Sequence, residues 1–216
     1  IVIGDGAGAQ GSGVIEVVIP LSGVIAPDGY FLIVEPTFAI TGVTADLTIA
    51  VPANALNFEN TDNVTHMLVT GFTGTSAQDL DTLPTALGDC TLDTTPWTTV
   101  ADVVGVILSA NPPVGTECHY GPPTVGPNPG PAAPFHVRRC PDGTGTWVNG
   151  SSDPEGVSSV DTAGASNASF CPCTMDSDCN DMNPCTTDTC TVGVSCVFTP
   201  NSNPCTDDGN ICTDDV

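Results

Sequence analysis

Eleven cysteines are unevenly placed along 216 residues, and that distribution constrains the fold more than any other feature. Cys90, Cys118 and Cys140 are widely scattered, whereas eight more crowd between Cys171 and the C-terminal end. The chain therefore reads as a larger part that buries a core, followed by a tail too small for one. Such a tail must be held by cross-links or metal. Many cysteines beside 23 Gly and 20 Pro suit an oxidising compartment, so a secreted or cell-surface location is expected.

The first part reads as all-β. Ile1-Val-Ile3 and Val14-Ile-Glu-Val-Val-Ile19, with a Gly/Ala/Gln/Ser loop between them, form a hairpin pattern. Val24-Ile25, the turn Ala26-Pro-Asp-Gly29 and Tyr30–Val34 predict a second hairpin. Thr41–Val51 alternates loosely in residues that suit a pleated surface, and Asn63–Thr70 predicts another strand. Val100–Leu108 is apolar enough for a buried strand or for a helical turn and a strand, which periodicity does not separate. No long stretch has the helical period, and turn signals recur at short intervals, which predicts an antiparallel β-sandwich. Residues 111–134 carry eight prolines and predict a loop across one end. Phe135–Trp147 predicts a closing hairpin around Pro141-Asp142-Gly143. The expected organisation is a β-sandwich over 1–150, a Ser/Asp/Ala/Gly-rich linker over 151–170 and a disulfide-rich, loop-dominated repeat tail over 171–216.

Charge narrows the partners. There are 25 acidic residues against 2 cationic ones, Arg138 and Arg139, and the formal net charge is −23. Phosphate contacts need Lys and Arg, so nucleic acid is excluded as a partner. No apolar run reaches the ~20 residues of a membrane span, so membrane insertion is not expected. Two readings of the acidic excess stand: solubility in a salty medium, or Ca²⁺ bound by Asp oxygens.

The tail repeats itself. Cys179-Asn-Asp-Met-Asn-Pro-Cys185-Thr-Thr-Asp-Thr-Cys190 matches Cys205-Thr-Asp-Asp-Gly-Asn-Ile-Cys212-Thr-Asp-Asp-Val216. The pattern places a further cysteine just past Val216, so the array is expected to continue. Asp176, Asp178, Asn180 and Asp181 have the spaced oxygens with which a Ca²⁺ loop begins, without the Gly and Glu of an EF-hand. Asp188, Asp207, Asp208 and Asp214 complete the candidate ligands. The alternative is solvated turns, which favour Asp and Asn in any case. A Cys90–Cys118 bridge would staple the intervening loop, and Cys140 would tie the last hairpin to Cys171. Each would contribute about 2–4 kcal/mol. Cys173, Cys179, Cys185, Cys190, Cys196 and Cys205 remain, with their pairing open. Thiolate zinc is disfavoured, since paired Cys-x-x-Cys spacings are missing.

The motifs Ala26-Pro-Asp-Gly-Tyr-Phe, Asn57-Phe-Glu-Asn-Thr-Asp-Asn-Val-Thr-His-Met-Leu, Asp79-Leu-Asp, Thr95-Pro-Trp and His136-Val-Arg-Arg-Cys-Pro-Asp-Gly-Thr-Gly-Thr-Trp stand in one order. Together they resemble lamin-tail-like domains of secreted bacterial proteins, over roughly residues 1–165. The tail is similar to short cysteine-rich repeats of slime-mould and myxobacterial surface proteins. The resemblance implies an immunoglobulin-like β-sandwich without catalysis. The family often carries an acidic Ca²⁺-type loop after the position of Asp79; here Asp79-Leu-Asp81-Thr-Leu83-Pro lacks its third oxygen. The family also has a strand before the position of Ile1. Ile1, Val2 and Ile3 are therefore expected at an interface completed by a neighbour through strand addition. Arg138 and Arg139 are expected at a contact as well.

His66, His119 and His136 have no local metal-ligand spacing, and no nucleophile-elbow, zincin or phosphate-loop motif occurs. The sequence thus predicts a non-enzymatic extracellular structural protein, a fibre or matrix subunit held by disulfides and Ca²⁺. Its partners would be other copies of itself, or another extracellular protein or carbohydrate. A binding module, signalled by an exposed Trp97 or Trp147, is the alternative, and an extracellular hydrolase the residual one.

Overall fold

Short runs of Val, Ile and Thr, punctuated by Gly and Pro, become strands because branched side chains favour the pleated backbone. The computed structural model describes residues 1–4, 12–50, 56, 61–83, 89–109, 118–127, 132–140, 142–143, 145–149, 162–167, 170–179, 185–192 and 195–201. In chain order the strands are β1 (Val2–Gly4), β2 (Val14–Val17), β3 (Ile33–Val34), β4 (Leu47–Thr48), β5 (Val64–Thr70) and β6 (Thr99–Val106). They continue with β7 (Thr124–Val125), β8 (Val137–Cys140), β9 (Thr146–Asn149), β10 (Thr186–Thr191) and β11 (Ser195–Pro200). The fold is all-β and disulfide-rich, as expected. Among the described residues no helix is long and apolar enough to cross a membrane.

By its contacts the chain divides into two units, Ile1–Val137 with Trp147–Gly164, and Arg138–Thr146 with Ala165–Val216. The first is built on a five-stranded sheet in the order β2-β1-β5-β6-β7. β5 and β6 pair antiparallel from Val64↔Val106 to Thr70↔Thr99, with a bulge at Leu68/Val69. The apolar run at Val100–Leu108 is thus a strand. β7 lies parallel to β6, pairing Gly105↔Thr124 and Val106↔Val125. A Cβ on Gly105 would stand 3.1 Å from the Thr124 methyl, so glycine permits that close approach.

Alternation along the strands gives the sheet two covered faces. Ile3, Ile15, Leu80, Cys118 and Tyr120 form one core cluster, and Val2, Val64, Val106 and Ala133 another. The buried Asn63 closes the end of the second. Its Oδ1 accepts from the Leu108 and Ser109 amides, and its Nδ2 donates to Ser109 O.

Three expectations need correction. The second hairpin does not form: β3 pairs in parallel with β4, and Val24 is 85% exposed. The Asp46 carboxylate accepts from the Leu32 amide at 2.7 Å, and Leu32 O accepts from the Asp46 and Leu47 amides, which bring the two segments together. The architecture is therefore mixed rather than purely antiparallel. Secondly, Ile1–Ile3 is no free edge. β1 pairs with β2 on one side and β5 on the other, and Val2 and Ile3 are buried, so this stretch belongs to the core. Thirdly, the closing hairpin of β8 and β9 does not belong wholly to the first unit. Its tip, Arg138–Thr146, groups with the C-terminal one, where the Cys140–Cys171 disulfide holds it. Asp142 also accepts from Ser166 Oγ and the Asn167 amide there.

The described part of the C-terminal unit contains regular structure. A 3₁₀ turn at Asp176–Cys179 precedes an antiparallel hairpin of β10 and β11, in register from Thr186↔Pro200 to Thr191↔Ser195. Its core cluster is Cys173, Cys179 and Cys196, with Cys190 and Phe198 against it. The expected linker 151–170 falls largely outside the described residues, as do Asn180, Asp181, Asp207, Asp208, Asp214, Cys205 and Cys212.

Candidate functional site

The five-stranded sheet is tightly covered at one end and open at the other. On the face of Val2, the rung Val64↔Val106 is buried, and Val104, opposite His66, is buried too. One rung further, Leu68 opposite Asp102 is 48% exposed. Here lies a cavity of about 620 Å³, bordered by Val2 of β1, His66 and Leu68 of β5, and Asp102 and Val104 of β6. Ile33 of β3 and Trp147 of β9 border it from outside the sheet, and Leu21 stands half exposed at its rim. A pocket of this size and predominantly apolar lining has the character of a small-molecule site. Burial pushes His66 down to about 4. The imidazole is therefore neutral near pH 7.

On the opposite face the acidic residues near Asp79 form a structural hub. Asp81 is fully buried. Its Oδ1 accepts from the Asp89 amide, and its Oδ2 from the Cys90 amide at 2.8 Å and the Tyr120 hydroxyl at 2.8 Å. Burial and that bond to the carboxylate push the Tyr120 phenol well up. Asp79 accepts from the Asp81 amide, and Asp93 from the amides of Thr82 and Leu83. Gly13, at φ +102°, passes so close that an added Cβ would meet Asp81 Cβ at 2.6 Å. The Cys90–Cys118 disulfide staples the same loops. These oxygens are occupied by backbone donors, which gives the Asp79-Leu-Asp81 stretch a role without metal.

In the C-terminal unit Asp176 accepts from the Cys190 amide at 2.7 Å. Asp178 accepts from the Thr174 amide and hydroxyl and from the Met175 amide, bonds that hold its carboxyl below the ordinary range. Asp188 lies on β10. Among the described residues, the one group of three ligand atoms within metal-binding distance of one another is Cys173, Cys179 and Cys196. Its sulfurs are in the Cys173–Cys190 and Cys179–Cys196 disulfides, two of the pairings that the sequence left open; Cys185 is disulfide-bonded as well. Neither the three histidines nor Asp176, Asp178 and Asp188 are brought together in this way.

The arginines expected at a contact turn inward. Arg138 Nη2 donates to Phe170 O at 2.6 Å, with the guanidinium 5.5 Å from the Phe170 ring centroid, and Arg139 Nη1 donates to Gly145 O. Their charge is used within the C-terminal unit because backbone carbonyls offer it hydrogen bonds there. Trp97 packs against the first core cluster, and Trp147 borders the cavity. The cavity itself was missed from sequence, although Trp147 was singled out.

Fold and site together define an all-β, disulfide-stapled protein with an apolar cavity at the open end of its main sheet. No protein-family model, curated protein or solved structure matches the chain.

Proposed function

We propose that the chain is a non-enzymatic extracellular structural or adhesive module, secreted or surface-held, that associates with its own copies or with another extracellular partner. The observation that carries this is the set of four disulfides among described residues, which cross-link both units and suit an oxidising, exposed environment. The resemblance of the Asn57–Leu68 and His136–Trp147 motifs to lamin-tail-like domains supports the same reading. Ca²⁺ would neutralise part of the −23 charge and let copies approach. Native protein at high concentration, examined by analytical ultracentrifugation and electron microscopy with Ca²⁺ and with chelator, tests this. Ca²⁺-dependent assemblies are expected. A strict monomer under both conditions would remove the fibre reading.

A second reading, a ligand-binding module, is favoured by the cavity bordered by Trp147. Protection of Trp147 fluorescence from a soluble quencher by a bound small molecule would support it.

A further inference from the structure

We propose that the cavity beside Asp102 and Trp147 binds a cationic amphiphile, an apolar chain or ring system ending in an ammonium group. This rests on the ligand-binding reading. β1 is paired with β2 on one side and with Thr65 and His66 of β5 on the other. Side chains dominate the lining, and most of them are apolar, which suits a small molecule. Val2, Val104, Leu68 and Ile33 offer an apolar wall to its body, and about 620 Å³ accommodates one of small-lipid size.

The polar end is chosen by charge. Among the described residues at the cavity Asp102 is the one acidic side chain, and Trp147 adds an aromatic ring whose negative face attracts ammonium groups. His66, neutral near pH 7, does not counter them. The Ile1 nitrogen also borders the cavity and donates to Met67 O. An anionic head would meet Asp102 and the field of a chain of charge −23; a cation is favoured by both. The half-exposed Leu21 and Leu68 at the rim leave a way in.

The test titrates the full chain at pH 7 with dodecyltrimethylammonium, dodecyl maltoside and dodecyl sulfate, each below its micellar concentration. Binding is followed by calorimetry and tryptophan fluorescence. One trimethylammonium per chain is expected, roughly tenfold tighter than the sulfate. Asp102→Asn should erase most of that preference while keeping the maltoside affinity. Leu68→Trp, a change at the exposed rim, should block all three with the circular dichroism unchanged. Equal affinity for cation and anion, or a preference that survives Asp102→Asn, overturns the cationic assignment and leaves the ligand-binding reading standing. Binding undiminished in both Leu68→Trp and a second rim variant, Leu21→Trp, marks adsorption to the acidic surface and overturns the site. No binding by any of the three overturns both readings.

Discussion

The two units reach order by different means. The N-terminal unit buries Val, Ile and Leu on both faces of a five-stranded sheet, and one described disulfide, Cys90–Cys118, closes its loops. The C-terminal unit has a core of cysteines, with Phe198, among the described residues, the one large apolar side chain packed against them. Its turns are tied by carboxylates, Asp176 to the Cys190 amide and Asp178 to Thr174 and Met175. A short segment has too little apolar surface to offset the conformational entropy of ordering it, so cross-links that restrict the unfolded chain replace burial. Acidic residues accordingly serve both units as acceptors for backbone donors, in one around an apolar core and in the other around disulfides.

The sharpest way to break this contrast is reduction. Replacing Cys179 and Cys196 together by Ser should remove about 2–5 kcal/mol and abolish protection of the β10–β11 hairpin. Hydrogen exchange of the full chain would show it, with β5 and β6 amides still protected. Loss of protection in both units together would mean that they share one source of stability.

The converse test strikes the N-terminal unit. Asp81→Ala leaves the Asp89 and Cys90 amides and the Tyr120 hydroxyl without their acceptor. The cost should be about 3–5 kcal/mol, since the buried Tyr120 hydroxyl is left without its charged acceptor and two loop amides lose theirs as well. Tyr120→Phe should cost less, about 1–2 kcal/mol, because the carboxylate keeps its two amides. Thermal denaturation compares the two variants; equal effects would show that the amide contacts contribute little.

How much of this could be read in advance differs in the same way between regions. β5 was legible because Asn63–Thr70 is rich in strand-favouring residues, a local signal, whereas the apolar run Val100–Leu108 left strand and helical turn open and only the pairing with β5 decides it. The Phe135–Trp147 hairpin announced itself through Pro141-Asp142-Gly143. β3 and β4 were not legible, because a parallel pair depends on a crossover and on Asp46 reaching Leu32, neither of which leaves a periodic trace. The place of Ile1–Ile3 inside the sheet depends on β5, more than sixty residues away by the Val2↔His66 pairing. Asp79 and Asp81 looked like the remains of a metal loop because sequence shows carboxylates and not the amides that they accept from. The cavity arises where rungs from three strands meet β3 and β9, so no single segment encodes it.

A smaller effect should come from His66, at the cavity. Its folded value of about 4 lies below the ordinary value of 6.5. Between those values the unfolded chain takes up a proton that the folded chain refuses. Stability is therefore full above about pH 6.5, falls as the pH drops toward 4, and levels below it. The loss should be about 2 kcal/mol, less than the whole shift implies because the ring is partly exposed. His66→Gln should flatten the N-terminal unit's stability profile between pH 4 and 6.5, measured by chemical denaturation. An unchanged slope would assign the pH dependence elsewhere.

The smallest effect is expected at Asp178, which is exposed although its carboxylate takes three hydrogen bonds. Those bonds favour the charged form, so the turn is tightest above the unfolded carboxyl's value of 3.8 and loosens as the pH falls through the lower folded value. Asp178→Ala should speed exchange of the Thr174 and Met175 amides and leave β10 and β11 as protected as before, because the disulfides carry that hairpin. The same residue separates the two readings of the acidic excess. If its oxygens serve only the turn, Ca²⁺ will not alter the exchange of those amides in the unsubstituted chain. If Ca²⁺ slows it and Asp178→Ala abolishes the slowing, the carboxylate is a ligand, and the C-terminal unit is held by metal in addition to its disulfides.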